Sequence, residues 1–222
     1  MENMPVSTTV AVLGFILGAV FGATAQRTNF CIMGSISDMV LMENLNRFRS
    51  WLLTMAVAIL GSQILFALGI VDLTKSIYLT TNLGWAGAII GGALFGFGMV
   101  LAGGCGSKTL VRLGAGNLKS LVVGLFLGIF AYMTLRGLIG IARLQLEGAT
   151  NIELKTSGLK AQGIPDIISV MTGLALPNVR WVVIALFVLG LLWFCFKDRA
   201  FRQSPRDIMA GLIIGALVPI GW

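Results

Sequence analysis

Cysteines stand at positions 31, 105 and 195, and the chain contains no histidine. Those two facts narrow the chemistry at once. Without histidine there is no Ser/His/Asp triad, no Cys/His pair, and no His-ligated zinc, copper or haem. The cysteines are 74 and 90 residues apart, so there is no CxxC redox or zinc-ribbon motif. Nine acidic residues lie mostly between apolar runs, a poor basis for a carboxylate metal cage. No catalytic group, cofactor or metal site is therefore expected, and the protein is not expected to be an enzyme. A neutral thiol is a weak S–H donor, and the surroundings of two of these thiols suit an anion.

Those two thiols sit in matching segments. Gly18-Ala19-Val20-Phe21-Gly22 is followed after eight residues by Cys31, and Gly92-Ala93-Leu94-Phe95-Gly96 after eight residues by Cys105. Four identities and a cysteine recur at one offset of 74. Small residues four apart on an apolar helix favour close packing, and repeated helix units are typical of transporters, with the substrate site where the repeats meet. After Ala102 come Gly103, Gly104, Cys105, Gly106, Ser107, Lys108 and Thr109. Irregular backbone at membrane depth is tolerated where it is buried or lines a cavity. A short helix starting here would aim its amides and positive end at Cys105, an anion site by geometry. The candidate substrate-binding residues are Cys31, Cys105, Gly103, Gly104, Gly106, Arg27, Ser107 and Lys108. Asp38, on an expected short helix from Ile32 to Met42, is a second charged candidate at membrane depth. Cys195, in the lipid-type run Leu191–Phe196, reads as structural filler. A P-loop reading of Gly106-Ser107-Lys108-Thr109 fails, because the required glycine positions hold Ser107 and Ala102.

The elements that must position these residues are membrane helices. Apolar residues make up 57% of the 222 and charged residues 11%, too few charges for a water-soluble surface. The runs around Val10–Ala25, Ser50–Val71, Trp85–Ala102, Ser120–Leu135 and Trp181–Phe196 give five spans of the required length. The fourth helix is expected to continue past Arg136, and a short interfacial helix is expected at Pro165–Leu176. A sixth apolar run starts at Ile208 and is unbroken at Trp222, as expected of a chain cut short; Gly215-Ala216-Leu217 looks like the start of a third copy. The first repeat half then covers about 1–196, and an incomplete second half about 207–222. Ala23-Thr24-Ala25 resembles a signal cleavage site, but no Lys or Arg precedes the apolar core, so a retained first helix is the better reading. The net charge of +7 fits basic cytoplasmic loops and not nucleic-acid binding. Placing Arg47, Arg49, Lys108, Arg112, Lys119, Lys197, Arg199, Arg202 and Arg206 inside puts the N-terminus outside, with Lys75.

Arg27-Thr28-Asn29-Phe30-Cys31 and Ala102-Gly103-Gly104-Cys105, each after a glycine-rich helix, resemble the YeeE/YedE family of sulfur-compound transporters. The chain covers about the N-terminal two thirds of a typical member. The resemblance implies an all-α integral membrane protein of the bacterial inner membrane. Its fold would be a multi-span, pseudo-symmetric helical bundle with short re-entrant helices after the Cys motifs. It implies uptake of thiosulfate or a related inorganic sulfur anion, with membrane lipid as surroundings, and allows a cytoplasmic sulfur-carrier partner. Members line the path with three cysteines. Cys31 and Cys105 correspond to the first two, and Cys195 lacks the context of the third. Such a path requires both thiols to stay protonated, because thiolates would repel the anion. The alternative is a membrane thiol oxidoreductase or sulfur-transfer protein using the same pair.

Overall fold

The computed structural model describes residues 6–73, 76, 82–153, 163–173 and 176–222. The helices, in order, are α1 Val6–Thr28, α2 Ile32–Leu41, α3 Asn46–Ala67, α4 Trp85–Leu101, α5 Gly106–Gly114, α6 Leu118–Arg136, α7 Leu138–Thr150, α8 Ile164–Thr172, α9 Leu176–Lys197, α10 Arg199–Arg202 and α11 Pro205–Ile220. Strand pairing among the described residues is confined to two-residue β1 and β2, where Asn82 opposes Glu153 and Leu83 opposes Ile152. The protein is an all-α, multi-pass membrane protein. Among the described residues five stretches are long and apolar enough to cross a bilayer: Ser7–Leu41, Asn46–Ala67, Trp85–Gly114, Leu118–Arg136 and Leu176–Lys197. In two of these the helix is interrupted, before Cys31 and before Cys105.

Local chemistry sets several ends. Asn117 and Asp198 cap α6 and α10, accepting from the amides of Lys119 at 3.0 Å and Ala200 at 3.1 Å. Pro205 opens α11, where its missing amide hydrogen costs nothing. The expected helix across Arg136 does not form. Gly137 is extended at φ −101°, ψ −163°, and a Cβ there would lie 2.8 Å from the Met133 backbone. The helix therefore stops at Arg136, and α7 begins anew at Leu138. Of the short helix expected at Pro165–Leu176, α8 forms over Ile164–Thr172 and is ended by Gly173 at φ +69°. Lys75, used for the orientation, lies outside the described residues.

The chain divides into two units, Met1–Val71 with Phe187–Trp222, and Asp72–Leu186. In the second, α6 packs against both α5 and α7, and α4 against α7. In the first, the core is Leu53, Cys195 and Phe201, with Leu52, Val57, Leu192 and Ile208 around them. Cys195 is fully buried and its thiol donates to the Arg49 carbonyl at 3.3 Å.

The closest helix pair in this unit is α3 with α11. A Cβ on Gly211 would sit 2.9 Å from the Ser50 carbonyl oxygen, and one on Gly215 2.9 Å from that of Thr54. This is the small-xxx-small contact of membrane helices. It does not fall where the sequence suggested. A Cβ on Gly18, Gly22, Gly92 or Gly96 would meet nothing within 4 Å among the described residues. At the charged end of the unit Arg49 pairs with Asp198 and lies over the Phe194 ring, 5.5 Å from its centroid. The Arg49 hydrogen bond holds the Asp198 carboxyl below its ordinary 3.8.

Gly215→Leu should drive a side chain into the α3 backbone, costing about 1–3 kcal/mol. Thermal unfolding in detergent should shift down by several degrees, whereas Gly22→Leu should leave the midpoint unchanged. For Asp198 the folded carboxyl is the stronger acid, so its contribution is present above 3.8 and lost as pH falls through the folded value. An acid-labile component of the melting temperature is expected in the native chain and should be absent from Asp198→Asn.

Candidate functional site

The Cys31 turn begins where α1 stops. Asn29 takes the left-handed conformation at φ +53°, which asparagine tolerates better than most residues. The next amide, of Phe30, then reaches back to the Ala25 carbonyl at 3.1 Å. Cys31 is extended at φ −160°, ψ 128° and stands directly before α2. It is 6% exposed. Arg47, from the first turn of α3, holds the turn by donating to the Asn29 carbonyl at 2.5 Å and to the Asp38 carboxylate at 2.7 Å. Gly34 leaves room for it, since a Cβ there would lie 2.6 Å from the guanidinium. Phe30 stacks on Trp51 of α3 with ring centroids 5.5 Å apart. Ser35 is fully buried, and its amide donates to the Cys31 carbonyl at 2.9 Å.

The Cys105 turn repeats this construction 74 residues on. Gly103 is left-handed at φ +65°, and the Gly104 amide reaches back to Met99 at 3.0 Å. Cys105 is extended at φ −76°, ψ 169° before α5, and is 7% exposed. Thr109, in the place of Ser35, donates to the Cys105 carbonyl from its amide at 3.0 Å and its hydroxyl at 3.3 Å. Arg112 of α5 donates to the Gly103 carbonyl at 3.0 Å, as Arg47 does to that of Asn29. The sources of the two guanidinium groups differ. Arg112 occupies the position equivalent to Asp38, and in the first turn Asp38 instead pairs with an arginine from the next helix.

Each thiol thus stands at the start of a short helix whose first amides lack intrahelical acceptors. Of the residues that the sequence marks as candidates in the second turn, Gly104 is buried, Gly106 and Lys108 are partly buried, and Gly103 and Ser107 are exposed. Gly104 is crowded by Lys108, whose Cγ would lie 3.3 Å from an added Cβ. Cys31 lines a narrow cleft with Thr28, Phe30, Arg47, Ser50, Asp207 and Ala210. Arg27 lines an adjoining groove of about 390 Å³ between α1 and α11, with Thr28 and Ala210 lining both. Sequence reasoning missed Arg47, Ser35 and Thr109. The two hydroxyls stand four residues after each cysteine, so the 74-residue offset could have found them. Among the described residues no group of three or more His, Cys, Asp or Glu could hold a metal.

Removing the Arg47 guanidinium should take away its donors to the Asn29 carbonyl and the Asp38 carboxylate. In Arg47→Met, hydrogen exchange at the amides of residues 29–35 should accelerate about tenfold, with α9 unaffected. Unchanged exchange would mean that the turn does not depend on Arg47.

A sequence profile described as Sulphur transport matches residues 27–222. The chain is 31% identical over 212 residues to the thiosulfate transporter TsuA of Spirochaeta thermophila, covering 92% of this chain and 60% of that protein. It is 28% identical over 185 residues to TsuA of Escherichia coli, covering 83% and 47%. It is also 32% identical over 115 residues to the probable transporter YedE of E. coli, covering 51% and 26%. The chain therefore spans about half the length of the relatives named thiosulfate transporter.

Proposed function

The chain belongs to the sulphur transport family, and from that premise we propose that it moves thiosulfate, or a closely related inorganic sulfur anion, into bacterial cells across the inner membrane. The observation that carries this reading is the pair of alike turns, each presenting a buried cysteine at the start of a short helix. Two relatives named thiosulfate transporter support the substrate class.

Lipid excludes a dianion, so a path must replace its hydration without binding it too tightly to leave. Protonated thiols suit that demand. An S–H group is a weak donor, and its sulfur is soft and polarisable, matched to the terminal sulfur of thiosulfate. The helix starts at Cys31 and Cys105 add amide dipoles that favour an anion. Gly103, Gly104 and Gly106 let the backbone turn beside Cys105, while Ser107 and Lys108 add polarity and positive charge there; Arg27 adds charge on the Cys31 side. The short helices α2 and α5 act as re-entrant elements that bring these starts to membrane depth. With the basic end of the first unit in the cytoplasm, the N-terminus lies outside. The reaction is transport, with no bond made or broken in the substrate.

Labelled thiosulfate uptake should be measured in cells that lack their own uptake systems and express this chain. Cys31→Ala and Cys105→Ala should each lower uptake at least tenfold at equal membrane expression, while Cys195→Ala, a packing change, should retain most of it. Full uptake by both of the first two variants would overturn the proposed path.

A further inference from the structure

The groove beside the Cys31 cleft joins Arg27 to a second guanidinium, Arg206, and to an apolar wall that the transport path does not use. Its walls are the end of α1, with Ala23 and Arg27, and the start of α11, with Arg206, Met209 and Ile213. Arg206 is anchored there by donating to the Arg27 carbonyl. Both arginines are exposed, and no carboxylate lines the groove among the described residues. Beyond the two cations the wall is largely apolar, and Met209 is 58% exposed on it.

The surroundings favour an anion from the bilayer. The same unit carries Lys197, Arg199 and Arg202 in the connection leading to Arg206, so basic residues gather where two helix ends meet. Basic pockets between membrane helices on that side hold anionic lipid headgroups. A small free dianion would gain from the guanidinium groups but nothing from an apolar trough of about 390 Å³. A phospholipid uses both parts.

We propose that the α1–α11 groove is a binding site for an anionic phospholipid, its headgroup phosphate held by Arg27 and Arg206 and an acyl chain lying along Met209 and Ile213. The guanidinium fork matches phosphate oxygens in two-point contact. The lipid would lie against the α1 end that leads into the Cys31 turn and would tie α1 to α11. The site stands whatever the chain transports.

Native mass spectrometry of the purified protein, titrated with phosphatidylglycerol or with phosphatidylcholine of the same acyl chains, tests this. The native chain should bind its first phosphatidylglycerol about thirty-fold more tightly, as two nearby cations imply. Arg27→Gln/Arg206→Gln should abolish the preference, and Arg199→Gln/Arg202→Gln, with the same loss of charge, should keep it. Ile213→Trp fills the groove without changing charge and should weaken phosphatidylglycerol binding by itself, so the test survives if the arginine variant does not fold. Equal loss in both double variants would show diffuse attraction and overturn the site. Displacement of the lipid by millimolar phosphate or thiosulfate would overturn it in favour of a small-anion pocket.

Discussion

Inside a bilayer a backbone must satisfy its own polar groups, and two helices of this protein, α1 and α4, stop within stretches long and apolar enough to span one. Each stop leaves the last carbonyls of a helix without the next turn's amides. Both are resolved alike: one left-handed residue reverses the chain, the following amide folds back, and a guanidinium takes the carbonyl of the reversed residue. Each guanidinium contact helps to hold its turn in the interrupted form. The two cysteines keep their places because the turns ahead of them are held.

In the first unit that constraint organises its neighbours. Arg47 belongs to α3, so α3 must lie beside the turn. The same helix supplies Trp51 against Phe30, Ser50 donating to the Asp207 carbonyl at 2.7 Å, and Leu53 to the core. Gly211 and Gly215 then let α11 approach α3 closely enough for that hydroxyl contact. Arg49, two residues after Arg47, fixes α10 through Asp198. The second unit needs no such helper for its turn, because Arg112 comes from the short helix itself.

Much of this was legible in the sequence, and the reasons are physical. Hydropathy alone gives the five spans, since the bilayer demands length and apolarity. Glycine and polar residues after two apolar runs mark the interruptions, and α2 and α5 follow them as expected. The break at Gly137 was not legible, because one glycine in an apolar run is equally at home inside a membrane helix. The role of Arg47 was hidden by distance: it stands 16 residues after Cys31 and reads as a loop charge until α3 folds back. The glycines that stand out by repetition, Gly18 and Gly92, meet no neighbour among the described residues, because contact depends on which helix lies alongside and not on a pattern within the helix.

An anion that passes both thiols must shield them while it is bound, so substrate protection tests the proposed path most directly. The protein would be reconstituted in liposomes and the alkylation rates of Cys31 and Cys105 followed with a membrane-permeant maleimide, with and without thiosulfate. Thiosulfate should slow both rates, sulfate at equal ionic strength should not, and Cys195 should be indifferent to either. Rates at Cys31 and Cys105 that thiosulfate leaves unchanged would contradict a path lined by these two cysteines.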